Sequence, residues 1–385
     1  MGDLFSFVSA CGADDFSLRP LCDVDRLIFA QLSYCDFLPA MPFAPCPLPQ
    51  AIRAMLAAAP SPDASEERFA FQRSDDQRLL SLLLHAPRYA RIMFIDFTRL
   101  LCPDGQQFAA LTLAIGGSRL LAYRGTDNTL AGWKEDLALS CQPCISSQQE
   151  ALRYLLRQAQ ARPGALSVCG HSKGGNLALY AALHAPAAVQ DRLACAVSFD
   201  GPGLPSETLE RLLTPVLAAR TRVLLPEGSL IGILFSQPPQ VRTIACKWMG
   251  PMQHYPYFWQ VEDGGFVDSP QTLFSRAAAL TMEKWLLRLT PAQREQFTEL
   301  LFDILQSTQA QTLNDLVRGW FSNTLPIARA ILSRVDMPNI RLCAHMLFSF
   351  WRALAESAGI LLSGSGNSAF RVRKALNIAA MHDKM

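Results

Sequence analysis

Long apolar runs are missing from this sequence of 385 residues. Nowhere do 18 or more apolar residues follow one another, so no transmembrane helix is expected. The first residues, Met1-Gly2-Asp3-Leu4, lack a basic region followed by an apolar stretch, so no signal peptide is expected. An excess of either charge is also missing, because 35 Lys and Arg nearly balance 33 Asp and Glu. Without a Lys/Arg-rich stripe, a nucleic-acid partner is not expected.

The chain is otherwise apolar: 50% of its residues are hydrophobic and only 18% are charged. This composition excludes intrinsic disorder, and the length suits one large domain with an appendage, or two domains. The 11 cysteines are odd in number and irregularly spaced, and Cys169, Cys195 and Cys246 lie inside apolar runs. That usage indicates reduced thiols rather than a disulfide framework, so we expect a cytoplasmic protein.

The pattern of apolar residues changes twice along the chain. Helical spacing over 23–38 and 66–86 predicts a helical N-terminal segment. From Phe108 onward, two β-rich runs joined by Gly116-Gly117-Ser118 predict a hairpin, and short apolar strands then alternate with helices over 148–246. This alternation predicts an α/β fold whose mostly parallel sheet is covered by helices on both faces.

After Asp268 the sequence predicts amphipathic helices. Ser269-Pro270 and Thr290-Pro291 each have the form of a helix start, the second with Gln293 placed as in a capping box. Trp285, Trp320 and Trp351 are expected to anchor the core of this helical part. We therefore predict an α/β domain with a helical N-terminal segment over 1–268, a helical appendage over 269–362, and a linker with a basic tail over 363–385.

The most specific motif is Gly170-His171-Ser172-Lys173-Gly174, which follows the strand LSVC and precedes the helix NLALYAAL. A G-x-S-x-G sequence between a strand and a helix is the context that a nucleophile elbow requires. The spacing fits neither common phosphate-binding loop. The sequence therefore predicts Ser172 as a nucleophile at the carboxyl edge of the sheet, beside a helix N-terminus.

A nucleophilic serine needs a base, and hydrolases of this kind place it downstream. His382 lies in the tail, and His345 has the spacing of a residue on a helix. His254 follows the strand VRTIAC in a loop, which is where the last strand of the sheet would deliver a base. We predict His254 as the base, with an ordinary loop histidine as the alternative.

Two carboxylates are candidates for the residue that orients the base. Asp200 ends the strand LACAVSF before Gly201-Pro202, and Glu227 follows the next strand. We favour Asp200 by its loop position, with Glu227 as the alternative acid and a turn-capping role as the alternative for Asp200.

An oxyanion hole is predicted between two loops. One donor would be the backbone N–H of Lys173, directly after the serine. The second would be the N–H of Thr126 in Tyr123-Arg124-Gly125-Thr126-Asp127, with its hydroxyl as a further donor. An ion pair between Arg124 and Asp136 is expected to brace this loop.

Three ordered motifs, YRGTDNTLAGWKEDL, GHSKGGNLALYAAL and SFDGPG, carry a resemblance to a known family. From about Asp23 to Gln260 the chain closely resembles a bacterial family of lipase-like α/β-hydrolases, the Mbeg-like proteins. It is more distantly similar to the fungal-type class 3 lipases. The resemblance implies an α/β-hydrolase fold, Ser172 as nucleophile, Thr126 as oxyanion donor and His254 as base.

The chain departs from the class 3 pattern at two places. Those lipases carry their acid in a D-x-V-P segment, where this chain has Ser229-Leu230-Ile231-Gly232. Lys173 replaces the usual leucine and puts a cation beside the nucleophile, either to meet an anionic substrate group or to be solvated.

The sequence thus predicts a serine hydrolase that cleaves carboxylic esters through an acyl-enzyme on Ser172, lipase- or esterase-like. A thioesterase or peptidase with the same residues, or a non-catalytic binding protein on a hydrolase fold, are the alternatives. No metal or organic cofactor is expected. The expected partner is a small-molecule or lipid ester, with peripheral membrane contact and the oligomeric state left open.

Overall fold

The computed structural model describes residues 2–58, 70–101, 107–308 and 336–362, together with scattered residues between 310 and 333. The predicted linker and basic tail over 363–385, and Trp320, lie outside the described residues. Among the described residues, no helix is both long and apolar enough to cross a membrane.

An eight-stranded sheet organises the described chain, with its strands side by side in sequence order. The first four strands, β1 to β4, pair antiparallel, and β4 to β8 run parallel. The strands are β1 (Cys46–Pro47), β2 (Met93–Leu101), β3 (Gln107–Ile115), β4 (Ser118–Tyr123), β5 (Leu166–His171), β6 (Leu193–Phe199), β7 (Thr221–Pro226) and β8 (Val241–Ile244). A separate small ribbon pairs β9 (Val261–Glu262) with β10 (Gly265–Phe266).

Helices cover both faces of the sheet. Those before β6 are α1 (Leu4–Cys11), α2 (Asp23–Leu32), α3 (Leu48–Ala57), α4 (Ala70–His85), α5 (Pro87–Ala90), α6 (Leu130–Ala138), α7 (Ser146–Ala161), α8 (Lys173–His184) and α9 (Ala187–Gln190). Later in the chain are α10 (Ser206–Leu212), α11 (Pro215–Arg220), α12 (Leu273–Leu287), α13 (Pro291–Gln306) and α14 (Met337–Leu362). Short 3-10 helices span Leu38–Phe43, Gly250–His254 and Pro256–Phe258.

Successive strand residues point to opposite faces and so divide the core in two. Cys169 and Val197 pack with the N-terminal helices on one face, whereas Val168 and Ala196 pack with α7 and α8 on the other. The predicted α/β class with helices on both faces is therefore confirmed, as is the hairpin of β3 and β4, where Gly116 has a φ of +59°. The arrangement is that of an α/β-hydrolase fold.

The structure confirms the expectation for the cysteines and one of the two predicted helix starts in the helical appendage. Cys169, Cys195 and Cys246 are buried free thiols, as their apolar surroundings predict. The capping box of Thr290 and Gln293 is confirmed at the start of α13. Ser269 does not start a helix, because the side chain of Thr272 caps α12 instead. The division of the chain at residue 268 stays a prediction.

Trp351 is not a core anchor. Its side chain is 63% exposed on α14, although Trp285 packs against a small buried cluster. Helical spacing alone did not reveal this, because α14 has apolar residues on more than one face and only some of them find a packing partner.

Candidate active site

Ser172 lies on the turn between β5 and α8, in a conformation that few residues adopt. Its φ is +57° and its ψ −133°, which marks local backbone strain of the kind found at functional sites. The flanking glycines allow the strand and helix to approach: a Cβ on Gly170 would lie 2.1 Å from the carbonyl oxygen of Gly174, and one on Gly174 would lie 2.1 Å from that of Tyr123. Only glycine fits at these two positions, and Ser172 lines a cavity.

The His254 imidazole is held by a buried carboxylate. Its Nδ1 lies 2.7 Å from Oδ2 of Asp200, which is fully buried, while the histidine is 30% exposed and lines the same cavity as Ser172. A carboxylate only accepts, so Nδ1 carries the proton and Nε2 is left with a lone pair. Within the described residues Ser172 Oγ makes no hydrogen bond with His254, a loose arrangement that is common without substrate.

The carboxylate of Asp200 is itself oriented by two donors. The hydroxyl of Ser229 donates to its Oδ1, and the backbone N–H of Gly232 donates to the same oxygen at 3.1 Å. Asp200 also has a φ of +47°. Ser229 thus lies where the resemblance to class 3 lipases places an acid, and its hydroxyl donates to the carboxylate that follows the preceding strand.

Glu227, the alternative acid, lies elsewhere. Its carboxylate accepts a hydrogen bond from the hydroxyl of Ser269, and its backbone carbonyl accepts from the N–H of Thr272 at 2.7 Å. Glu227 therefore ties the end of β7 to the start of α12, and among the described residues it makes no contact with His254 within hydrogen-bonding distance.

His171, which the sequence analysis passed over, fixes the loop of His254. Its Nε2 donates to the backbone carbonyl of His254 at 2.9 Å, and the two rings lie 4.6 Å apart. Because Nε2 carries the proton, Nδ1 accepts from the hydroxyl of Tyr34 at 3.2 Å. His171, at the first variable position of the G-x-S-x-G motif, thus connects the elbow to the loop that holds His254. The motif itself does not predict this contact.

The two predicted oxyanion donors lie on the same cavity. Among the described residues, the backbone N–H groups of Thr126 and Lys173 have no hydrogen-bond acceptor, so both are free to meet a ligand. The hydroxyl of Thr126 lies 2.7 Å from both carboxylate oxygens of Asp136 and donates to that carboxylate. It is therefore the N–H of Thr126, and not the hydroxyl, that is available. The predicted ion pair between Arg124 and Asp136 is wrong: Nη2 of Arg124 lies 3.5 Å from Oδ2 of Asp127 instead.

Lys173 is neither solvated nor open to an anionic substrate. Its side chain is only 1% exposed, and its Nζ lies 2.7 Å from Oε2 of Glu135 and 3.9 Å from Oδ1 of Asp136. The carboxylates come from α6, a helix that the sequence analysis did not predict. Since a buried cation is costly unless it is paired, the Lys–Glu contact explains how a lysine is tolerated beside Ser172.

Breaking this buried pair is expected to destabilise the protein. Lys173→Met leaves the Glu135 carboxylate buried without its counter-charge and should lower the free energy of unfolding by about 3 kcal/mol. Denaturant unfolding measures the change. Lys173→Met combined with Glu135→Gln should regain most of the loss, because glutamine still accepts from the N–H of Ser147. Equal stability of Lys173→Met and the wild type would contradict the assignment of a buried pair.

Asp136 titrates unusually. Loss of hydration raises the pKa of its carboxyl to about 6, although Lys173 and the Thr126 hydroxyl favour the charged form. The native protein therefore keeps this proton to higher pH than the unfolded chain does. Ionisation of Asp136 consequently lowers the free energy of unfolding as the pH rises from about 4 to above 6.

Asp136→Asn, which cannot ionise, is expected to lose this dependence. The free energy of unfolding of the variant, minus that of the wild type, should increase as the pH is raised from about 4 to about 7. Denaturant unfolding of both proteins at the two pH values checks the sign. If the stability difference between the two proteins is the same at both pH values, Asp136 has no raised pKa.

Comparison with known proteins identifies the family of this chain. Residues 83–303, more than half of its length, match the model of the family described as Mbeg1-like. The chain belongs to the Mbeg1-like family. The resemblance found in the sequence motifs is thereby confirmed, and the match includes Ser172, Asp200 and His254. A search of curated proteins finds no match.

Two solved structures are similar to this chain at low identity. An M37 lipase is 13% identical over 67% of this chain and 77% of its own, with a TM-score of 0.33. A lipase–propeptide complex from Rhizomucor miehei is 14% identical over 57% of this chain and 67% of its own, also with a TM-score of 0.33. TM-scores this low carry no conclusion about function.

Proposed function

We propose that this protein is a serine hydrolase that cleaves carboxylic esters, lipase- or esterase-like, through an acyl-enzyme on Ser172. One observation carries the proposal: the hydrogen bond between His254 Nδ1 and Asp200 Oδ2, in a cavity shared with a serine on a strained elbow. A proton on Nδ1 leaves Nε2 as the basic atom, which is the tautomer that a general base needs.

The first half-reaction forms the acyl-enzyme. Nε2 of His254 takes the proton of Ser172 Oγ as this oxygen attacks the ester carbonyl carbon. The negative charge moves to the carbonyl oxygen, where the N–H groups of Thr126 and Lys173 stabilise it. His254 then gives its proton to the leaving alkoxide, the ester C–O bond breaks and the alcohol departs.

The second half-reaction releases the acid. His254 deprotonates a water that attacks the acyl carbon, and the same two N–H groups hold the second oxyanion. Collapse of this intermediate breaks the bond to Ser172 Oγ, which recovers its proton from His254. Asp200 stays ionised throughout and stabilises the imidazolium form.

Reaction with a fluorophosphonate probe tests the proposal. The phosphonyl group should bond to Ser172 Oγ with loss of fluoride, and mass spectrometry of the digested protein should place it on the peptide that holds Ser172. A short-chain ester should compete with the probe. A folded protein that neither reacts with the probe nor turns over any of a panel of esters, thioesters and amides would be a non-catalytic hydrolase-fold protein.

A further inference from the structure

The cavity at the candidate active site is much larger than the reacting groups require. It has a volume of about 530 Å³, within the range of ligand-binding pockets. Ser172, His254 and Thr126 lie on its wall, and one part of the wall comes from α12, α13 and α14. The helices after residue 268 therefore form part of the same cavity as the catalytic groups.

The part of the wall that these helices provide is mainly apolar. Its apolar residues are Met282, Trp285 and Leu286 of α12, Leu289 after it, Phe297 of α13 and Met346 of α14, and its polar ones are Arg294 and Thr298 of α13. Leu289 and Met346 belong to a small buried cluster, against which Trp285 and Phe297 pack. The indole N–H of Trp285 donates to the carbonyl of Met346 at 3.0 Å, so this polar atom is already satisfied. Such a surface favours an apolar ligand.

The apolar wall is attached to the catalytic domain by polar contacts. The guanidinium of Arg294 donates to the carbonyl of Ser140 after α6 and, at 2.9 Å, to the carbonyls of Leu286 and Leu289. The hydroxyl of Ser275 donates to the backbone carbonyl of Ser229, the residue whose own hydroxyl donates to Asp200. The wall is thus held in place relative to Ser172.

We propose that α12, α13 and α14 form an acyl-binding pocket, and that the substrate is an ester of an unbranched fatty acid of medium or greater length. The inference rests on the proposed function and adds its substrate class. In the acyl-enzyme the carbonyl carbon is bonded to Ser172 Oγ, and the alkyl chain lies against Met282, Leu289 and Phe297. Catalytic efficiency then depends on how much of the alkyl chain is buried in the pocket.

A series of p-nitrophenyl esters from acetate through butyrate and octanoate to laurate tests the pocket. Each buried methylene should raise kcat/KM by about fourfold, so octanoate should exceed acetate by at least about 100-fold. Met282→Trp and Phe297→Trp fill the cavity from two helices. Each should lower kcat/KM for octanoate by about tenfold or more relative to kcat/KM for acetate.

Leu287→Trp is the matched control, because Leu287 lies on the same helix as Met282 but is 76% exposed. It should change neither rate. Binding of sodium octanoate to Ser172→Ala, measured by calorimetry, gives a readout without turnover and should weaken at least about tenfold when Met282→Trp is added.

The outcomes separate the two proposals. If the wild type hydrolyses acetate and octanoate esters equally well, or if the filling variants lower both rates equally, the acyl pocket is wrong and the serine hydrolase stands. If Ser172 fails to react with the probe, but octanoate binds and Met282→Trp weakens this binding, the proposed hydrolase activity is wrong and the apolar pocket stands.

Discussion

Ser172→Ala and His254→Ala are each expected to lower kcat for ester hydrolysis by about 10⁶-fold. Without Oγ no acyl-enzyme forms, and without Nε2 nothing removes the proton from Oγ. Because the two groups act in one step, the double variant should lose no more than either single variant does. Steady-state kinetics on a p-nitrophenyl ester, with probe labelling alongside, measures all three proteins.

Ser206→Ala is the matched control for this experiment, since Ser206 is an exposed serine at the start of α10. It should keep full activity and full labelling. Losses that multiply in the Ser172→Ala/His254→Ala protein would mean that the two residues act independently, and would remove His254 from the role of base.

Asp200→Asn is expected to lower kcat by about 10⁴-fold while the fold is retained. An asparagine can still accept from Ser229 and Gly232 through its carbonyl oxygen. Its NH₂ group would then face Nδ1 of His254, which turns Nδ1 into the acceptor and moves the ring proton to Nε2. A protonated Nε2 cannot take the proton of Ser172, so the histidine is present but in the wrong tautomer.

Glu227→Gln decides between the two candidate acids. The glutamine can keep the contact with Ser269, so this variant should retain wild-type kcat and wild-type stability. Thermal unfolding of both variants separates a catalytic loss from a folding defect. Full activity in Asp200→Asn, or a loss of about 10⁴-fold in Glu227→Gln, would reverse the assignment.

Much of the elbow could be predicted from local sequence. Gly170 is close in the chain to the carbonyl of Gly174 that it approaches, and β5 and α8 adjoin the turn, so one short motif contains most of the geometry. Gly174 approaches Tyr123 of β4, which lies outside that motif. The sequence predicts the strand Leu193–Phe199 with the bounds that the structure has, because its short length and the turn residues that flank it favour a buried strand over a helix. Strand β2 was not predicted, since its polar residues interrupt the alternation.

The partners of the site residues could not be predicted in the same way. Lys173 meets Glu135 across 38 residues of sequence, Ser229 meets Asp200 across 29, and His171 meets the His254 carbonyl across 83. A charged side chain read in isolation has solvent as its default partner, which is why Lys173 was expected to be solvated or to face a substrate. Only folding removed the water and brought a carboxylate to it.

The sequence by itself determined the α/β class, the strand–turn–helix elbow at Ser172 and the place of a histidine after the last strand, because each depends on residues that are neighbours in the chain. The tertiary structure decided that Asp200 and not Glu227 contacts His254. It also decided that the helices after residue 268 line the cavity of Ser172. Both depend on side chains from separate elements, whose distance is set by how the sheet and helices pack and not by any local pattern.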